Sequence, residues 1–197
     1  MKVKIGETLY VTDRKSWRSW LAKHYKSEKE IWLIYFRKES GKPRISYNDA
    51  VEEALCYGWI DSIIKSLDKE RFAQRFSVRK KTSTLSQMNK ERIRALIIKK
   101  KMTKAGLLAI EHVFDPTKEE PKRLIVSSGI LKSLKTDKQA WANFQKFPES
   151  YKRIRIAYLE SQRRHGEEQY QRALGYFIKM TAKNKRFGFV KEMRFIS

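Results

Sequence analysis

Cysteine is almost missing from this chain: Cys56 is the only one in 197 residues. No intrachain disulfide can form, and neither a cysteine zinc cluster nor a CxxC redox pair is possible, which fits a reducing compartment. Long apolar runs are missing too. None approaches the roughly 20 residues that a membrane-spanning helix requires, and the opening MKVKIGETLY has two lysines with no apolar stretch behind them. The chain is therefore expected in the cytoplasm, without membrane insertion. No GxGxxG, GxxxxGK[ST] or HExxH pattern occurs. The three histidines, His24, His112 and His165, lie far apart, with no nucleophile or metal-ligand pattern around them. No catalytic residue, metal ligand or cofactor is assigned.

Acidic residues are in short supply: 22 Asp and Glu face 45 Lys and Arg, a formal net charge of +23. Such a field draws polyanions by counterion release, and nucleic acid is the first candidate partner. A plain solvated lysine surface would give the same count. What is present is enough to fold: 41% hydrophobic and 12% aromatic residues supply a core despite the charge. The length suits one domain with a small appended module.

Thr12-Asp13 reads as a helix cap before Trp17, Trp20, Leu21 and His24, which share one helical face. Ile31 to Phe36 is an unbroken apolar run of strand character, expected to be covered on both faces. Ser46 and Asp49 form a capping box before the helical face of Val51, Ala54 and Leu55, and Gly58 suits a left-handed helix end. Ile60 to Leu67 and Arg71 to Val78 read as a hairpin around Asp68-Lys69-Glu70. Ser86 and Thr103 each cap a further helix, a pair that could mimic a helix-turn-helix. The fold class expected is α+β: a small antiparallel or mixed sheet with packed helices, then a C-terminal helical module. The division expected is an α+β domain over 1–114, a linker over 115–129, helices over 130–184 and a basic tail over 185–197.

Period two along the second hairpin strand stands Arg71, Arg75 and Arg79 in a row opposite Phe72, Phe76 and Val78. From Lys69 to Lys104 there are 13 Lys and Arg against Glu70 and Glu91, hence 13 minus 2, or +11 in 36 residues. The anion or nucleic-acid surface expected there comprises Arg71, Arg75, Arg79, Lys80, Lys81, Lys90 and Arg94. A second reading places a ligand pocket at Tyr57, Trp59 and Asp61, where a helix runs into a strand, with Arg71 or Arg75 across the hairpin as partner of Asp61. A third gives the C-terminal helices a protein partner, docked on Phe144, Phe147, Tyr151 and Tyr158.

The run Tyr47 to Ser62, with Glu53-Ala54-Leu55-Cys56-Tyr57-Gly58-Trp59-Ile60-Asp61 at its centre, resembles the hallmark of the YdeI/OmpD-associated family. Trp20-Leu21 with His24, Gln74-Arg75-Phe76, Asn89 to Arg92, and Met102-Thr103 sit around it in family order. Phe147 to Tyr151 and Arg172 to Phe177 are similar to the helical OmdA-type module that closes such proteins. Val78 and Leu85 stand where the family usually has Pro and Trp. The resemblance implies no reaction and no catalytic residue. It implies a link to bacteriocin or antimicrobial-peptide protection, which would be indirect here, since a cationic chain repels cationic peptides.

Overall fold

The computed structural model describes residues 4–116 and 124–188. The chain divides into two compact units, Met1–Leu85 with Arg92–Lys118, and Ser86–Glu91 with Glu119–Ser197. The architecture is α+β, as the sequence predicts: a four-stranded mixed sheet with packed helices, followed by a helical region. Among the described residues no helix is long and apolar enough to cross a membrane.

In the first unit the order is β1 (Thr8–Leu9), α1 (Arg14–His24), β2 (Glu30–Phe36), α2 (Tyr47–Cys56), β3 (Trp59–Ser66), β4 (Arg71–Val78), α3 (Gln87–Ile98) and α4 (Lys104–Leu108). The strands stand in the order β1-β2-β4-β3. β1 runs parallel to β2, while β4 lies antiparallel between β2 and β3. β1 has only two residues, too short for any periodicity to reveal. α3 is shared, its first turn belonging to the second unit.

Helix starts follow the side chains that cap them. Asp13 accepts from Ser16 N at 2.9 Å, Ser46 from Asp49 N at 3.0 Å, and Thr103 from Gly106 N at 3.2 Å, each satisfying a backbone donor that the helix leaves orphaned. Trp17 and Leu21 of α1 point into a core with Ile31, Leu33, Val51, Ala54, Leu55, Trp59 and Phe76, each large apolar side chain contributing about 1.5–3 kcal/mol by leaving water. The opposite face of β2 carries Trp32, also fully buried. The strand is thus covered on both faces.

Two glycines set the approach of the helices. Gly58 has φ +76°, and a Cβ there would lie 2.6 Å from the Ala109 Cβ. At Gly106 a Cβ would run into the Cys56 carbonyl. Only a residue without a side chain lets α4 come this close to the end of α2.

The second unit holds α5 (Ser128–Thr136), α6 (Lys138–Lys146), α7 (Glu149–Gln162) and α8 (Glu167–Ala182). Its core is Ile130, Leu134, Ala140, Phe144, Ile156, Leu159, Tyr170, Leu174 and Phe177. α5 is an element that the sequence reading left out. Of the linker expected over 115–129, residues 117–123 lie outside the described residues, and its last two residues open α5. Of the basic tail expected over 185–197, residues 189–197 also lie outside them. Phe187 is not loose: its ring packs on Tyr176 and Phe177 and lies under the Arg155 guanidinium.

Candidate functional site

The three arginines of β4 do not form the row that strand parity suggests. Arg71 sits at the hairpin turn and is bound by Asp68 at 2.7 Å. Arg75 gives both Nε and Nη2 to Glu30 of β2. Arg79, just past the strand, is only 6% exposed and donates Nη1 to Thr84 O at 3.0 Å. Parity places the residues correctly, but each meets a different neighbour, because β4 is flanked by the acid of β2 at one point and closed by its own following loop at another. Lys80 and Lys81 are exposed. Arg94 lies over the Phe114 ring at 5.0 Å and is half-buried, and Lys90 belongs to the second unit's share of α3. α4 has five residues, too few for the base-reading helix of a helix-turn-helix.

The pocket expected at Tyr57, Trp59 and Asp61 is divided among three environments. Trp59 is sealed, edge-on to Trp20. Tyr57 faces Tyr25, ring centroids 5.4 Å apart, with the Arg18 guanidinium 5.3 Å above its ring. Asp61 takes neither Arg71 nor Arg75 as its partner: Tyr47 donates to it at 2.9 Å and Gln74 at 3.0 Å. Burial together with the Asp61 charge pushes the Tyr47 hydroxyl up to about 12. The cation that separation in sequence suggested is replaced by two neutral donors from α2 and β4.

The carboxylates of α2 are consumed internally. Glu53, 1% exposed, binds Arg14 and Arg18 of α1, and Arg14 also holds Asp49 at 2.8 Å and Glu52 at 2.9 Å. Cys56, next to this network, is fully enclosed, and burial pushes its thiol up to about 11, the wrong direction for a nucleophile. Among the described residues no three His, Cys, Asp or Glu side chains gather as a metal site would need.

What the fold does gather is basic backbone. Val78 N donates to Lys29 O at 3.2 Å, Arg79 N to Gly58 O at 3.0 Å, and Thr103 N to Cys56 O at 3.2 Å, while Arg18 reaches Lys101 O at 3.0 Å. These bonds tie the segments 23–29, 79–81 and 99–104 to one corner, where α2 passes into β3. Lys23, Lys26, Lys29, Lys80, Lys81, Lys99, Lys100 and Lys104 are all exposed there. None has a carboxylate partner among the described residues. Glu28 is the acid in their midst, and the half-buried Tyr25 and Tyr57 rings lie at the centre. Sequence reasoning missed Lys23 to Lys29 and Tyr25, and it named Tyr57 only for a ligand pocket. Their signal was faint, three lysines spaced by three around a helix end, and their nearness to Lys80 depends on a strand pairing 49 residues away in sequence.

Lys100 adds a local oddity: it holds φ +54° as the left-handed residue ending α3, with Lys101 N bonded to Leu96 O at 2.8 Å. That is a Schellman turn with lysine in the place that glycine usually takes.

The third expected surface is not open. Phe144, Phe147 and Tyr151 are buried within the second unit, and of that set Tyr158 alone is exposed. Comparison with curated proteins and with solved structures gives no match for this chain. The family model described as "Domain of unknown function (DUF8412)" does match, over residues 9–109. That span takes in α1, the hairpin and every segment of the lysine corner, and it is more than half of the 197 residues. By that match the chain belongs to the DUF8412 family.

Proposed function

We propose that the first unit is a non-enzymatic, cytosolic binding module that holds nucleic acid on the lysine corner. The observation that carries this reading is the division of labour between the cations. Arginines take Glu30, Glu53 and Asp68, and the exposed lysines of the corner are left without a carboxylate partner among the described residues. Phosphates are the natural counterions for such lysines, and release of condensed cations drives the association. Tyr25 and Tyr57 favour a single strand over a duplex, because an unstacked base gains about 1–3 kcal/mol on an aromatic face.

The likeness of Tyr47 to Ser62 to the YdeI/OmpD-associated family supports a place in stress response or antimicrobial-peptide protection, acting through a polyanion rather than on the peptide. Fluorescence anisotropy of a labelled single-stranded oligonucleotide tests the binding. At low salt the affinity is expected to fall steeply as salt is added, with a weaker duplex counterpart. An oligonucleotide that fails to bind, or binds independently of salt, removes the proposal.

A further inference from the structure

Arg79 differs from Arg75 and Arg153 in what its guanidinium meets. Arg153 gives Nε and Nη2 to the two oxygens of Glu91 at 2.7 and 3.0 Å, and Arg75 gives the same pair of nitrogens to Glu30. This side-on fork matches the spacing of oxygens in a carboxylate or phosphate. In Arg79 the fork is buried, and neither Nε nor Nη2 meets a hydrogen-bond acceptor among the described residues. Only Nη1 is satisfied, by Thr84 O.

A buried guanidinium with two unmet donors is costly, because each donor has given up water without gaining an acceptor. Asp61 favours the charged form of Arg79, but its carboxylate takes Tyr47 and Gln74 as donors and leaves the fork unmet.

We propose that the Arg79 fork is a binding site for a small oxyanion, the carboxylate or phosphate group of a ligand distinct from the polymer on the lysine corner. The oxyanion fills the Nε and Nη2 positions as Glu91 does for Arg153. The exposed loop 80–85 is tied back onto Arg79 through Thr84, so lifting this loop admits the ligand.

Titration calorimetry of the full chain with inorganic phosphate tests the site, with formate as a second arm that separates planar carboxylate from tetrahedral phosphate. Saturable binding of either is expected. Arg79→Met should weaken it about 100-fold, as for loss of one partner of a buried charge pair, while Lys132→Gln, at an exposed position of α5, binds as the wild type does. If R79M does not fold, the arginine Nε–H resonances of the wild-type chain give the same answer: one of them shifts on phosphate addition and saturates. No saturable response to either anion, equal binding by R79M, or loss of binding in K132Q overturns the proposal. The oligonucleotide experiment is separate, so failure of one reading leaves the other standing.

Discussion

The two ends of the sheet in the first unit both carry basic residues and differ in how the acids near them are used. At the hairpin turn, Arg71 is held by Asp68 at 2.7 Å and Lys42 by Glu70 at 3.2 Å, so the acids there cancel charge on the surface. At the lysine corner the nearby acid, Glu53, is turned inward onto Arg14 and Arg18, and the exposed lysines keep their charge. The difference teaches that the pairing of carboxylates, rather than the density of cations, decides where a basic protein offers a surface to an anion.

The heaviest way to break the contrast is to deform the corner itself. Gly106→Ala forces a Cβ against the Cys56 carbonyl, and the overpacking should cost about 3 kcal/mol and reduce oligonucleotide binding with it. Gly41, near the turn end, has φ +67° with nothing within 4 Å of an added Cβ. Gly41→Ala should cost only about 1 kcal/mol of backbone strain and leave binding untouched. Urea denaturation of the two variants beside the wild type reads the stabilities; equal losses would mean that α4 is not held at the corner by this approach.

Glu53→Gln comes next. It leaves Arg14 and Arg18 without their buried carboxylate, for a loss of about 3 kcal/mol, at the lower end for a broken buried pair because Asp49 and Glu52 still engage Arg14. A loss below about 1 kcal/mol in thermal or urea unfolding would show the network to be solvated and the corner's charge balance to be different from that drawn above.

Replacing Lys80, Lys81 and Lys104 by Gln sharpens the comparison without touching the core. Each lost phosphate contact should lower the salt slope of single-strand binding by about 0.7, whereas Arg71→Gln at the turn end should leave the slope as it is. Anisotropy titrations over a range of salt give both numbers, and a slope that responds to Arg71 instead would move the interface to the other end. Lys100→Gly is the subtler variant: relieving φ +54° should raise stability by about 1 kcal/mol while weakening binding. Opposite movement of the two readings is the mark of strain kept for function.

Much of the frame was legible because its causes are local. The Asp13, Ser46 and Thr103 caps, the apolar run of β2 and the hairpin around Asp68 each lie within a few residues of the bonds they make. The site was less so. Strand parity put Arg71, Arg75 and Arg79 on one side of the strand, but parity carries no information on what stands opposite, and Glu30, Asp68 and the loop at Thr84 gave the three arginines three fates. Asp61 was correctly seen to need a partner. The donors that serve it, Tyr47 and Gln74, lie 14 and 13 residues away in sequence and come from different elements. The lysine corner depends on backbone pairs such as Lys29 with Val78, which no local pattern announces.

The smallest effect concerns Glu30 and Arg75, a partner pair that cancels charge in mid-sheet. The Arg75 hydrogen bond holds the Glu30 carboxyl below its ordinary value of 4.5. A folded-state value below the unfolded one means that the pair's contribution is fully present above pH 4.5 and is lost as pH falls through the folded-state value. The Glu30 side chain is 37% exposed, so screening keeps the contribution under about 1 kcal/mol. The stability difference between the wild type and Glu30→Gln should therefore be constant at neutral pH and shrink toward zero in acid. Arg75 freed by that substitution should also raise oligonucleotide affinity slightly if its guanidinium then reaches solvent, because the pairing of a cation, and not its position on the strand, is what withholds it from phosphate. A difference that grows in acid would contradict the pairing.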